Sequence, residues 1–300
     1  MDFTIVTPSL RQLDHLAGCI ASVADQEGVT LEHIVMDGGS EGFGEFSRKM
    51  QARWPERPNY RRVMVSQADL GMYDAINQGL KRGTGEICAY LNCDEQYLPG
   101  ALEKILRVFR AHARAEICHG GFLVVDSRGG LVTIQKPVRL IWAHVATSHL
   151  PNFSCATFFR RSLLEKEHAW FDASYQACAD ALWNMERLRV GTPTVRISTC
   201  VSAFQQTGTN RGLSPAGLAE REKIACLASP WVRKGKPLWT GIHRILKFCA
   251  GGYLPRKVAY SLWQKSDEAA RTRFGPSWVN GIWWERLKVL PRKGFEPQGT

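Results

Sequence analysis

Strand-like and helix-like segments alternate through the first hundred residues, and that alternation leaves few folds open. Phe3–Thr7 is a short β-branched run stopped by Pro8, after which Leu13, Leu16, Ile20 and Val23 fall on one helical face. Leu31–Met36 reads as a second strand ending at Asp37-Gly38-Gly39-Ser40, and Tyr60–Val65 as a third. Tyr73–Leu80 reads as a short helix, and Glu86–Leu91 as a fourth strand that runs into Asn92-Cys93-Asp94-Glu95. Pro99 is suited to open the next helix, which carries Leu102, Ile105, Leu106 and Phe109 on one side. Such alternation predicts βαβ units and a mostly parallel sheet. The second half is less regular. Phe122–Val125 and Leu131–Ile134 are expected to pair through a turn at Ser127–Gly130, with a helix at Ala181–Leu188, a strand at Pro193–Ile197 and a loop over Thr207–Ser214.

The charge is not spread evenly. The chain of 300 residues has 39 Lys+Arg and 28 Asp+Glu, a net of +11. Residues 231–300 hold 14 of the cations and 4 of the acids, or +10, which leaves +1 for the first 230 residues. That C-terminal stretch also holds Trp231, Trp239, Trp263, Trp278, Trp283 and Trp284, six of the ten Trp. Cations interleaved with Trp suit an anionic membrane surface. A near-neutral body argues against nucleic acid as the partner. No run approaches the ~18–20 apolar residues of a spanning helix. Met1-Asp2-Phe3 lacks the basic start of a secretory leader, so a cytoplasmic protein is expected, peripheral on the inner face of the cytoplasmic membrane. The nine Cys form no CxxC pair and read as reduced thiols. The His residues, without HxxxH or HxH spacing, read as satisfied side chains, and Trp142 and Trp183 as core. Neither a G-x-G-x-x-G after the first strand nor a G-x-x-x-x-G-K-[ST] occurs, which argues against a dinucleotide dehydrogenase or a P-loop NTPase.

Two acids directly follow apolar strands, Asp37 and Asp94. Beyond the carboxyl ends of parallel strands lies the crevice where ligands bind. There one carboxylate can accept from a sugar hydroxyl or a base, and another can hold a hard divalent cation beside a diphosphate. Both could equally cap turns.

The motifs as strings say more. Thr4-Ile5-Val6-Thr7-Pro8-Ser9-Leu10, Asp37-Gly38-Gly39-Ser40, Asp69-Leu70-Gly71-Met72-Tyr73-Asp74-Ala75-Ile76-Asn77-Gln78-Gly79, Thr84-Gly85-Glu86 and Leu91-Asn92-Cys93-Asp94-Glu95 follow in that order, ahead of Leu98-Pro99-Gly100-Ala101-Leu102. The series resembles family 2 inverting glycosyltransferases, and within them bacterial enzymes of surface-polysaccharide synthesis. The likeness covers residues 3–102 and continues more weakly to about 210. It implies an α/β GT-A fold, a Rossmann-like, mostly parallel central sheet flanked by helices. Residues 1–230 would form the catalytic domain, with a nucleotide-sugar half to about 115 and an acceptor half to about 230. Residues 231–300 would be a helical, basic extension.

The same resemblance implies roles. Asp94 would bind Mg²⁺ or Mn²⁺ on the donor diphosphate, with Glu95 as a secondary contact where relatives have a second Asp. Thr7, Pro8 and Ser9 would line the nucleoside pocket, Asp37 would read base or ribose, and Asp69, Tyr73 and Asn77 would serve the donor side. Leu70 stands where relatives often carry a cation, so Arg11 or Arg62 is the expected substitute. Phe171-Asp172-Ala173-Ser174-Tyr175, followed by Ala179-Asp180, resembles the segment that ends in the general base, here Asp180, although Ala181-Leu182 replaces the usual second acid. Asp180 can also cap the helix that follows. Gly121 stands near a position that relatives use for the donor sugar, and Arg160-Arg161 is a candidate for an acceptor phosphate. The expected activity is metal-dependent, inverting sugar transfer from a nucleotide sugar to a hydroxyl of a lipid-linked or polysaccharide acceptor. A sugar-nucleotide-binding protein without catalysis is the alternative, and a basic nucleic-acid-binding protein a weaker one.

Overall fold

The computed structural model describes residues 1–206, 212, 214–264 and 269–283. Three strands, β1 (Phe3–Ser9), β2 (Leu31–Asp37) and β3 (Tyr60–Ser66), run parallel in full register, with Phe3 opposite Leu31 and Leu31 opposite Tyr60. The fourth, β4 (Ile87–Tyr90), is parallel to β1 on its other side. Beyond it the sheet becomes mixed. Its order is β3-β2-β1-β4-β8-β6-β9-β5, completed by β5 (Glu95–Tyr97), β6 (Ile117–Val125), β8 (Thr157–Arg160) and β9 (Thr194–Gln205), with β7 (Leu131–Gln135) hairpinned onto β6. The short β5 and β8 carry too few residues to show a period in the sequence.

Every residue of β1 and β2 is buried, because helices cover both faces. The helices α1 (Leu13–Ala24), α2 (Phe43–Arg53), α3 (Met72–Arg82) and α4 (Ala101–Ala111) flank this half. Gly79 lets α3 lie close on the sheet: a Cβ there would fall 2.5 Å from a Val6 methyl. Gly100, at φ 66°, caps α4, so Pro99 stands just outside the helix rather than at its first position. In the second half lie α5 (Trp142–Thr147), the short α6 (Ser162–Glu165), α7 (Ala179–Arg189) and α8 (Pro215–Cys226).

The C-terminal stretch is helical only in part. After α9 (Pro230–Lys234) and α10 (Lys236–Cys249) it turns into an antiparallel hairpin, β10 (Arg256–Leu262) and β11 (Thr272–Val279). It is tied to the body. The Arg271 guanidinium donates to both Asp25 oxygens at 2.6 and 2.8 Å, and Trp263 Nε1 donates to the same carboxylate at 3.0 Å. Trp263 also packs edge-on against Trp54, and Trp283 is buried against Phe153 and Phe204. Trp231 and Trp278 remain exposed. Trp284 and most of the Thr207–Ser214 loop lie outside the described residues.

Candidate active site

The carboxyl ends of β1 and β4 open into a cavity of about 1220 Å³, closed on the far side by α5, α7, α8 and α10. Asp94, Glu95 and Asp180 all line it. Asp94 sits in the turn after β4, Glu95 starts β5, and Asp180 lies in the first turn of α7. Glu95 is fully buried, and its Oε2 accepts from the Asn92 amide at 2.8 Å. Burial, with the charges of Asp94 and Asp180 added, pushes its carboxyl up to about 8. Asp180 is raised to about 6, again by burial, partly offset by the Ala181 amide and the Tyr73 hydroxyl. Crowded hard oxygens of this kind suit Mg²⁺ or Mn²⁺, whose charge would relieve the repulsion. Asp94 and Glu95 would therefore suit such an ion, Glu95 being folded back over the Asn92 turn.

Asp180 is held from two sides. Tyr73 Oη, from α3, donates to its Oδ1 at 3.2 Å. On the other side, the Glu220 carboxylate of α8 accepts from three successive amides, those of Gln176, Ala177 and Cys178, at 2.5, 2.9 and 2.9 Å. That clasp fixes the chain leading into α7. Nothing in the local sequence marks Glu220, since its partners lie 42–44 residues away.

Pro8, Ser9, Asp69 and Tyr73 line the cavity as expected. Asp69 fits because Gly38 beside it has no side chain: a Cβ there would lie 3.1 Å from Asp69 Oδ2. Three expected nucleotide contacts are not brought to the cavity. Thr7 turns its hydroxyl into the core, 2.9 Å from His33 Nε2. Asp37 is buried and accepts from the Gly39 and Ser40 amides and the Ser40 and Ser66 hydroxyls, so it braces the turn after β2. Asn77 clamps both backbone groups of Phe171, at 2.7 and 3.1 Å. The proposed stand-in cations are also elsewhere. Arg62 is buried against the carbonyls of Met50 and Trp54, and Arg11 does not line the cavity. Arg161 spends its guanidinium on Gly85 O, Leu80 O and Thr4 Oγ1, and Arg160 pairs with Glu86. Gly121 is a packing requirement of the sheet, since a Cβ would come 3.0 Å from Gln135 O. Leu70 is 86% exposed and contributes nothing to the wall.

The cations that do face the cavity come from the second half: Lys136, Arg221, Arg233, Lys236, Arg244 and Lys247. Near them the fold gathers His144, His149 and His243, with ring nitrogens within 4.8 Å of one another. No pairwise spacing in the sequence signals this trio, because α5 and α10 meet only in the fold. His144 and His243 stack in parallel at 4.2 Å and 7°, so both cannot aim a nitrogen lone pair at one ion without one ring turning. Burial, beside Lys247 and Arg244, lowers His243 to about 4 and keeps it neutral.

Residues 4–166, more than half of the chain, match the family model described as Glycosyl transferase family 2. An uncharacterized glycosyltransferase of Nostoc sp. is 23% identical over 243 residues, covering 73% of this chain and 72% of that protein. A PGL/p-HBAD biosynthesis glycosyltransferase of Mycobacterium bovis is 24% identical over 123 residues, 41% of this chain and 47% of its own length. Among solved structures, S. aureus TarS 1-349 in complex with UDP-GlcNAc superposes with a TM-score of 0.59 at 14% identity, over 83% of this chain and 73% of that one. The mannosyltransferase PcManGT from Pyrobaculum calidifontis, in complex with GDP-Man and Mn²⁺, gives a TM-score of 0.54 at 14% identity, over 81% and 75%. At these identities the two structures share its fold. No helix among the described residues is long and apolar enough to cross a membrane.

Proposed function

The chain belongs to glycosyl transferase family 2, and we propose that it is an inverting, metal-dependent enzyme with Asp180 as its general base. The observation that carries this reading is the convergence of Asp94, Glu95 and Asp180 in one cavity at the carboxyl ends of the strands. A nucleotide sugar would lie against Pro8, Ser9 and Asp69, with its diphosphate near Asp94. Asp180 accepts the proton of the acceptor hydroxyl as that oxygen bonds to the anomeric carbon. The bond from that carbon to the diphosphate breaks on the opposite side, which inverts the configuration. Tyr73 orients the Asp180 carboxyl, and burial sets its proton affinity near 6, so it is ionised yet basic at neutral pH. A divalent ion held by Asp94, with Glu95 behind it, would supply charge compensation for the departing nucleoside diphosphate. That the two structural neighbours carry UDP-GlcNAc, or GDP-Man with Mn²⁺, supports a nucleotide-sugar donor and such an ion.

The acceptor in this reading is a hydroxyl on a lipid-linked or polysaccharide chain. The exposed Trp231, Leu238, Ile245 and Phe248 of α9 and α10, with the exposed Lys234 beside Trp231, support a peripheral place on an anionic membrane, on its cytoplasmic face. We keep residues 1–230 as the catalytic domain and residues 231–300 as its membrane-facing extension. The test is transfer from a panel of nucleotide sugars with and without Mn²⁺. Asp94→Ala and Asp180→Asn should each abolish it, and wild-type turnover in either would remove that residue from its role.

A further inference from the structure

Helix α5, the segment after it and helix α10 each bring one imidazole to the same place. His144 lies on α5, His149 just past its end and His243 midway along α10, and their ring nitrogens are all within 4.8 Å of one another. The ring centroids stand 4.2, 4.8 and 5.7 Å apart. An ion that bonds three imidazoles in a tetrahedron, at about 2.0–2.1 Å each, holds their nitrogens about 3.3 Å apart. The trio is thus within about 1.5 Å of ligand spacing. Ring rotation closes that gap. His243 leaves its parallel stack on His144 by turning about its last side-chain torsion, which in His is broad rather than confined to three wells.

The donors in this trio are all nitrogen. Asp94 and Glu95 offer hard oxygens, which suit Mg²⁺ or Mn²⁺, whereas neutral imidazoles favour Zn²⁺ and its neighbours late in the first transition row. Imidazole binds a metal only when unprotonated, and His243, lowered to about 4 chiefly by burial, has no proton to lose at neutral pH. The Lys247 and Arg244 cations that help to lower it also oppose a further positive charge, so affinity must come from the metal–nitrogen bonds. Lys247 Nζ spends two of its donors on Gln135 Oε1 and Gly281 O, at 2.8 and 2.9 Å. His149 Nδ1 lies 3.2 Å from Ser148 Oγ, an outer contact of the kind that fixes a ligating ring and leaves its Nε2 for the metal. His144 is fully buried, while His149 and His243 line the cavity. An ion therefore has a way in, and one coordination position is left facing the cavity.

We propose that His144, His149 and His243 form a site for a late first-row divalent cation, separate from the ion assigned to Asp94. Zn²⁺ suits it best, since its filled shell imposes no geometry on rings that must shift to meet it. The ion cross-links α10 to α5 and to the segment that follows α5, and so fixes the C-terminal stretch as a wall of the cavity. The site stands whether or not Asp180 is the base.

The test is calorimetric titration of the full, untagged chain with Zn²⁺ in excess Mg²⁺, with Co²⁺ as a spectroscopic substitute. The background carries Cys226→Ser and Cys249→Ser, because those two thiols are exposed and would compete for the metal. One equivalent should bind, and Co²⁺ should give the strong visible bands of four-coordination. Saturating Zn²⁺ should raise Tm by about 3 °C or more. His149→Ala and His243→Asn should each weaken Zn²⁺ at least about tenfold and cancel the rise in Tm, since even an outer partner of a metal ligand is worth that much. His149 is only half-buried and lies outside the helices, so its variant keeps the fold where one at His144 would open the core. Asp94→Ala should leave Zn²⁺ affinity within twofold. Unchanged Zn²⁺ binding in His149→Ala would overturn the proposal, as would an equal loss in Asp94→Ala or the weak bands of six-coordinate Co²⁺.

Discussion

The hydroxyl of Tyr73 donates to Asp180 Oδ1 at 3.2 Å and accepts from the Asp180 amide at 3.4 Å, joining α3 to α7 across 107 residues of sequence. Tyr73 is buried, and burial keeps its phenol protonated far into the alkaline range, so it is a dependable donor. A residue expected on the donor side thus braces the proposed base.

Removing that hydroxyl should therefore hurt turnover more than donor binding. For Tyr73→Phe we expect kcat to fall about tenfold, the size of a lost orienting hydrogen bond at a reacting group, with the donor KM within twofold. The acid limb of the pH profile should move to higher pH, since the hydroxyl is one of the groups that lowers the Asp180 carboxyl. A rise in donor KM at constant kcat would return Tyr73 to the nucleotide.

The proton affinity of Asp180 sets a pH dependence. Transfer should rise with pH and level off above about 6, as the base becomes ionised. Stability should respond in the opposite sense. The native carboxyl lies above its ordinary 3.8, so the folded state holds a proton that the unfolded state has released, and stability declines as pH rises from about 4 to 6. Asp180→Asn should thus melt higher than wild type at pH 7 while transfer drops by about 10²–10⁴, the usual range for loss of a general base. A variant that melts lower would show that the carboxylate is a structural group.

Glu220 should matter to both folding and rate. Glu220→Ala strips the acceptor from three amides, and leaving such donors unsatisfied costs about 1–3 kcal/mol each where water cannot reach them. We expect a lower Tm and a reduced kcat, with Mn²⁺ affinity unchanged because Asp94 is on another element. Glu220→Gln, which keeps an acceptor oxygen, should recover part of both. Thermal unfolding and steady-state rates on the same preparations check this.

Membrane association should depend on the exposed apolar side chains of α9 and α10. Ile245→Asp/Phe248→Asp should reduce co-sedimentation with phosphatidylglycerol vesicles several-fold, since each apolar side chain contributes roughly 1.5–3 kcal/mol on burial. UDP or GDP affinity should stay within twofold. Unchanged sedimentation would defeat the membrane reading. Deleting residues 231–300 should disturb the body as well, because Trp263, Arg271 and Trp283 hold that stretch to it and α10 forms a cavity wall.

What the sequence determined by itself was local. Buried, β-branched runs such as Phe3–Thr7 and Leu31–Met36, alternating with helical stripes, specify parallel strands with helices between them, and any acid directly after such a strand lies at its carboxyl end. Asp94 reached the cavity that way, and the parallel first half of the sheet was legible for the same reason. The tertiary structure decided which way side chains turn. Asp37 follows a strand just as Asp94 does, yet the Ser40 and Ser66 hydroxyls claim its oxygens, and Ser66 meets it only through the pairing of β2 with β3. Asn77 and Tyr73 occupy the same helix, one clamping Phe171 and the other reaching Asp180, because α7 and its approach pack across that helix. The basic, Trp-rich stretch was visible as composition, but composition has no direction. Only the packing of α10 against α5 showed Lys236, Arg244 and Lys247 lining the cavity and the apolar stripe left outside it, because a helix turns toward whatever its neighbours leave room for.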